Sequence, residues 1–139
     1  MMEAAREAIE QSASRPWLIG VTVLTSLETN DLVEVGFAGE PKQLVSRLAG
    51  ITQECGLDGV VCSPEEVRML REQRGEDFVL VTPGIRPAGS DSNDQKRIMT
   101  PAQALSDGSS YLVIGRPITQ SPSPLAALQR IIDSISGEA

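Results

Sequence analysis

The 139-residue chain is 40% hydrophobic and 22% charged, with twelve glycines and nine prolines, which suits one globular unit with a real core. Nineteen acidic residues against twelve basic ones give a net charge of −7 and a pI near 4.6, a poor match for the clustered Lys and Arg that nucleic-acid phosphates demand. Histidine is absent, which excludes Ser-His-Asp and Cys-His catalysis and every His-ligated metal site.

In chain order, Glu3 to Gln11 reads as a helix with no capping residue ahead of it. No basic region followed by an apolar stretch opens the chain, and no run approaches the roughly 18 apolar residues of a membrane span. A cytoplasmic protein is therefore expected, with no membrane partner. Leu18-Ile19-Gly20-Val21-Thr22-Val23-Leu24 reads as a strand, and a polar, glycine-containing loop is expected from there to Glu40. Pro41 opens a helix whose Leu44, Val45, Leu48, Ile51 and Cys55 recur at helical spacing, with Gly56 placed to stop it. Cys55 and Cys62 are read as two reduced, buried thiols, because one pair of cysteines is neither a disulfide framework nor a zinc signature.

Gly59-Val60-Val61-Cys62 is a short β-branched run. Ser63-Pro64-Glu65-Glu66 follows it, with a capping Ser, Pro at the first helical position and Glu three residues after the cap. That helix should end near Gly75. Phe78-Val79-Leu80-Val81-Thr82 is the next strand, ending at Pro83-Gly84. A long polar loop from Ile85 to Met99 leads to Thr100-Pro101-Ala102-Gln103, which repeats the cap architecture, and Gly108 supplies the stop. Tyr111-Leu112-Val113-Ile114-Gly115 is the last strand. A closing helix begins near Ser123-Pro124, with Leu125, Leu128, Ile131, Ile132 and Ile135 along one face.

Continuous apolar strands imply that both sheet faces are covered, as in a parallel sheet with helical crossovers. Successive strand–helix units make this an α/β protein, either doubly wound or part of a (β/α)₈ barrel, and residues 1–139 read as a single structural unit. In both architectures ligands bind at the carboxyl ends of the strands. Two of those ends, Thr82-Pro83-Gly84-Ile85-Arg86 and Ile114-Gly115-Arg116-Pro117, place a glycine and then an arginine just past a strand. There the backbone can approach an anion and a guanidinium can grip it. The competing reading makes both arginines solvated loop residues and the glycines mere turn formers.

Five segments, in order, carry a resemblance: Val21-Thr22-Val23-Leu24-Thr25-Ser26; Gly56-Leu57-Asp58-Gly59-Val60-Val61-Cys62-Ser63; Leu80-Val81-Thr82-Pro83-Gly84-Ile85-Arg86-Pro87; Asp94-Gln95-Lys96-Arg97-Ile98-Met99-Thr100-Pro101; and Val113-Ile114-Gly115-Arg116-Pro117-Ile118-Thr119. Together they resemble the bacterial orotidine 5′-phosphate decarboxylases over essentially the whole chain. The resemblance implies a (β/α)₈ barrel, active as a homodimer, that converts orotidine monophosphate to UMP without metal or organic cofactor. It implies that Arg86, Gln95 and Arg116, with the Gly115 backbone, hold the 5′-phosphate and that Thr25 contacts the pyrimidine. It also makes the Arg86–Gln95 loop a closure over the phosphate.

A (β/α)₈ barrel takes about 250 residues, so the resemblance covers about the last four strand–helix units, a partial barrel. The family's Asp-x-Lys-x-x-Asp array, on an earlier strand, has no counterpart here. Asp94-Gln95-Lys96-Arg97-Ile98-Met99 starts like it but puts Met99 at the second Asp, and Lys96 reads as a solvated charge. No catalytic residue is therefore assigned, and the chain alone is expected to be inactive. Two other readings are a non-catalytic phosphate-binding or assembly module, pairing through open sheet edges, and another phosphate-binding barrel such as a hexulose-phosphate synthase relative. The uncapped first helix favours a chain cut from a longer enzyme over a complete but degenerate or split gene product, whereas Met1-Met2 points the other way.

Overall fold

A computed structural model of the chain describes residues 1–87 and 97–137. Helix α1 (Met2–Glu10) precedes β1 (Ile19–Val21), α2 (Thr29–Glu34), α3 (Pro41–Glu54) and β2 (Gly59–Val61). A 3₁₀ turn (Pro64–Glu66) runs into α4 (Val67–Arg74), followed by β3 (Val79–Thr82), α5 (Pro101–Ser106), β4 (Tyr111–Leu112), α6 (Arg116–Thr119) and α7 (Pro124–Ser136).

The four strands are parallel and lie side by side in chain order, β1-β2-β3-β4. A doubly wound sheet reverses its strand order at a switch point, whereas a barrel adds each strand beside its predecessor. The observed order is that of a barrel wall.

The caps form where the side-chain chemistry places them. The Ser63 hydroxyl accepts from the Glu65 amide, while the Glu66 carboxylate accepts from the Ser63 amide at 2.7 Å, closing a capping box with Pro64 at the first position. Thr100 caps α5 through the Gln103 amide, and Gly75 ends α4 at φ 83°. Two short helices occupy stretches expected to be loop. α2 is closed by a box between Glu28 and Asp31, and α6 starts directly after Gly115.

The core lies on one face of the sheet. Val60, Cys62 and Leu80 pack there with Val45, Ala49, Val67 and Leu70 from α3 and α4. The alternate strand positions form a row in one register, Val21, Val61, Val81 and Tyr111, on the face away from these helices. Val21 is 64% exposed and Tyr111 49%. The expectation that both faces are covered is thus corrected: among the described residues helices cover one face and leave the other open. In a complete barrel that inner face is filled by layers of side chains from all eight strands, so a four-stranded wall cannot fill it alone. Trp17 lies beside Tyr111, with ring centroids 5.6 Å apart.

The closing helix needs a similar correction. α7 forms as predicted, but of its expected buried face only Ile131 is buried, beside Ala127. Leu125, Leu128, Ile132 and Ile135 form an exposed stripe at helical spacing, because the described residues contain no layer for them to pack against. Cys62 is buried as expected, whereas Cys55 is only half-buried.

Candidate functional site

The carboxyl ends of the strands gather the predicted site residues at one end of the sheet. Thr25 follows β1 and is buried; Arg86 follows β3; Gly115 and Arg116 follow β4, the neighbour of β3. Gln95 and Lys96 lie outside the described residues, as does nearly all of the proposed Arg86–Gln95 closure.

Local chemistry sets each position. Past β3, Gly84 turns the chain at φ 79°, a conformation that a side chain would strain. Ile85 then bridges Met99, and the Arg86 amide donates to the Met99 carbonyl at 2.9 Å, so the two ends of the Ile85–Met99 loop are joined at their base. The Arg86 side chain is only 6% exposed, with Nη1 donating to the Ile85 carbonyl at 2.9 Å. Arg86 is therefore not the solvated loop residue of the competing reading. Past β4, Gly115 is exposed, an added Cβ there would meet nothing within 4 Å, and its carbonyl accepts the Ile118 and Thr119 amides of α6. Arg116 is half-buried at the first position of α6. A cavity of about 480 Å³ opens beside these segments, with Pro87 and Pro117, the residues following the two arginines, on its wall.

The same end of the sheet holds an arrangement that the local sequence pattern does not reveal. Glu66 and Arg97 are both buried and form an ion pair between Glu66 Oε1 and Arg97 Nη1. Arg97 Nη2 donates to the Leu24 carbonyl at 2.9 Å, and Glu66 Oε2 accepts the Ser63 amide. Burial pushes the Glu66 carboxyl above its ordinary range, while the Arg97 guanidinium and the Ser63 amide pull it back. Beside it the Cys62 thiol is pushed up to about 12, first by burial and then by the Glu66 charge, which keeps it protonated and a poor nucleophile. Among the described residues no three His, Cys, Asp or Glu side chains come together as a metal site, and no helix is long and apolar enough to cross a membrane.

Comparison with known proteins gives the arrangement a context. The sequence model described as "Orotidine 5′-phosphate decarboxylase / HUMPS family" matches residues 1–131. The orotidine 5′-phosphate decarboxylase of Hydrogenovibrio crunogenus is 60% identical over 135 residues, covering 97% of this chain and 57% of that protein. The enzyme of the same name from Chromobacterium violaceum is 60% identical over 136 residues, covering 98% and 55%. Among solved structures, the orotidine 5′-phosphate decarboxylase of Lactobacillus acidophilus superposes with a TM-score of 0.79 at 38% identity, covering 97% of this chain and 58% of that one. The chain thus spans a little over half the length of the relatives it matches.

Proposed function

The chain belongs to the orotidine 5′-phosphate decarboxylase / HUMPS family, and from that premise we propose that it is the nucleotide-holding C-terminal part of an orotidine 5′-phosphate decarboxylase barrel. The observation that carries the reading is identity near 60% with proteins of that name over 97% of the chain, in a segment that includes all four strand tips. Arg86 and Arg116 grip the 5′-phosphate together with Gln95 and the Gly115 amide, and Thr25 meets the pyrimidine.

The chemistry follows from where these groups stand. Charge-assisted hydrogen bonds from two guanidiniums hold the phosphate far from the ring carbon that loses CO₂. Binding energy gained there is spent on orienting the ring against groups that crowd the substrate carboxylate and stabilise the resulting carbanion. In the resemblance those groups belong to the Asp-x-Lys-x-x-Asp array, which the 139 residues do not contain. On this reading the chain binds UMP weakly and does not turn over orotidine monophosphate by itself; it works in the cytoplasm with no metal or organic cofactor.

The exposed stripe of α7 and the open edges of β1 and β4 support association with further barrel wall, either a second copy or the remaining strands. A sugar-phosphate substrate of the hexulose-phosphate type is the second reading, and the names of the relatives near 60% identity weigh against it. The test is an absorbance assay of orotidine monophosphate with the purified chain, together with UMP binding. Binding without turnover is expected, and turnover abolished by Arg116→Ala would refute the division of labour.

A further inference from the structure

Thr25 and Arg86 stand past β1 and β3, two strands that do not touch because β2 lies between them. One side chain crosses that gap. Arg97 leaves the end of the Ile85–Met99 loop, passes its Nη1 to Glu66 at the head of α4, and passes its Nη2 to the Leu24 carbonyl past β1. The Leu24 carbonyl also accepts the Leu27 amide at 3.0 Å, so the guanidinium fastens the turn that contains Thr25. Glu66 in turn is held by the Ser63 amide at the tip of β2. At the other end, Met99, two residues beyond Arg97, accepts the Arg86 amide. The segments bearing Thr25 and Arg86 are thereby joined through the buried Arg97 guanidinium.

Stability alone does not account for this choice of residues. Two charges must be desolvated, and a buried ion pair is often matched in stability by apolar side chains of similar volume. What the ionic version adds is direction: a planar guanidinium with fixed donors sets where a carbonyl must lie. Resting on the nucleotide reading above, we infer that Arg97, oriented by Glu66, is a positioning residue that sets the spacing between the base contact at Thr25 and the phosphate grip at Arg86. It acts through the Leu24 carbonyl without touching the ligand.

The experiment compares the wild-type chain with Arg97→Met, Arg97→Lys and the paired apolar replacement Glu66→Leu with Arg97→Met. Each is titrated with UMP and with ribose 5-phosphate, which carries the phosphate without the base. Misplacement of an ångström is enough to lose a contact, so UMP binding falls about tenfold relative to ribose 5-phosphate in Arg97→Met. The paired replacement keeps that deficit even where its thermal midpoint matches wild type, and Arg97→Lys restores part of it. Equal loss for both ligands, or full recovery of UMP binding in the paired replacement, overturns the inference. If the wild type binds neither ligand, the nucleotide reading itself fails, and the tie is read by amide hydrogen exchange at Leu27. Faster exchange in the paired replacement at equal global stability upholds the tie, and unchanged exchange overturns it.

Discussion

Gly59 lies against β3 with no room for a side chain, and its substitution is the sharpest test of the strand packing. A Cβ built there sits 2.0 Å from the Val79 carbonyl oxygen and 2.6 Å from the Val79 Cβ. Real Cβ contacts below 3.0 Å are essentially unknown, and the opposing atoms are backbone or a stiff β-branched carbon, so β2 and β3 must part by about 1 Å. That displacement breaks the 2.9 Å bond from the Val79 amide to the Asp58 carbonyl and strains the Val60–Leu80 pairing in the middle of the core. An overpacking cost of about 1–3 kcal/mol and a buried polar group left unpaired at about 1–3 kcal/mol combine to roughly 2–6 kcal/mol for Gly59→Ala. Against a total stability of about 5–15 kcal/mol, this leaves a marginally folded protein. Urea unfolding followed by far-ultraviolet circular dichroism reads the difference. A loss below about 1 kcal/mol would refute the register and the close approach on which the sheet description rests.

The Arg71 guanidinium donates to the carbonyls of Gly75, Glu76, Phe78 and Gly108, tying the end of α4 to the strand entrances of β3 and β4; Arg71→Met should cost about 2–4 kcal/mol in the same unfolding measurement. Cys62, with its thiol pushed up to about 12 from an ordinary 9.0, stays unreactive to a disulfide reagent at pH 8 until the chain unfolds, while half-buried Cys55 reacts; two fast thiols would contradict its burial. Because the folded thiol holds its proton more tightly than the unfolded one, its share of stability is full below pH 9 and is lost as pH rises towards 12. The double variant Leu125→Glu with Ile132→Glu should unfold within about 1 kcal/mol of wild type, since Leu125 is 79% exposed and Ile132 45%, and should reduce self-association by sizing chromatography.

The strand–helix alternation was legible because its signals are local. Ser63-Pro64 and Thr100-Pro101 announce helices through their own side chains, and Gly75 stops α4 by its positive φ. α2 was not legible, since its cap is a glutamate rather than one of the usual short side chains, and the four-residue α6 is too short to show a period. Periodicity along α7 marks a helix but cannot say whether anything lies opposite it, so Leu125 and Ile132 were expected inside and stand outside. The strand tips likewise followed from the alternation, which put Thr25, Arg86, Gly115 and Arg116 at one end of the sheet. The ion pair at that end did not. Glu66 signals only a capping box, and its partner Arg97 lies on a segment 31 residues away, a distance over which no local pattern reports.

Whether the arginines past β3 and β4 receive a nucleotide phosphate is tested most directly by calorimetric titration with UMP and with uridine. The expected result is UMP binding that exceeds uridine binding and falls about tenfold or more in Arg116→Ala, as the loss of a charge-assisted hydrogen bond requires. Equal binding of UMP and uridine, or UMP binding untouched by Arg116→Ala, would contradict it.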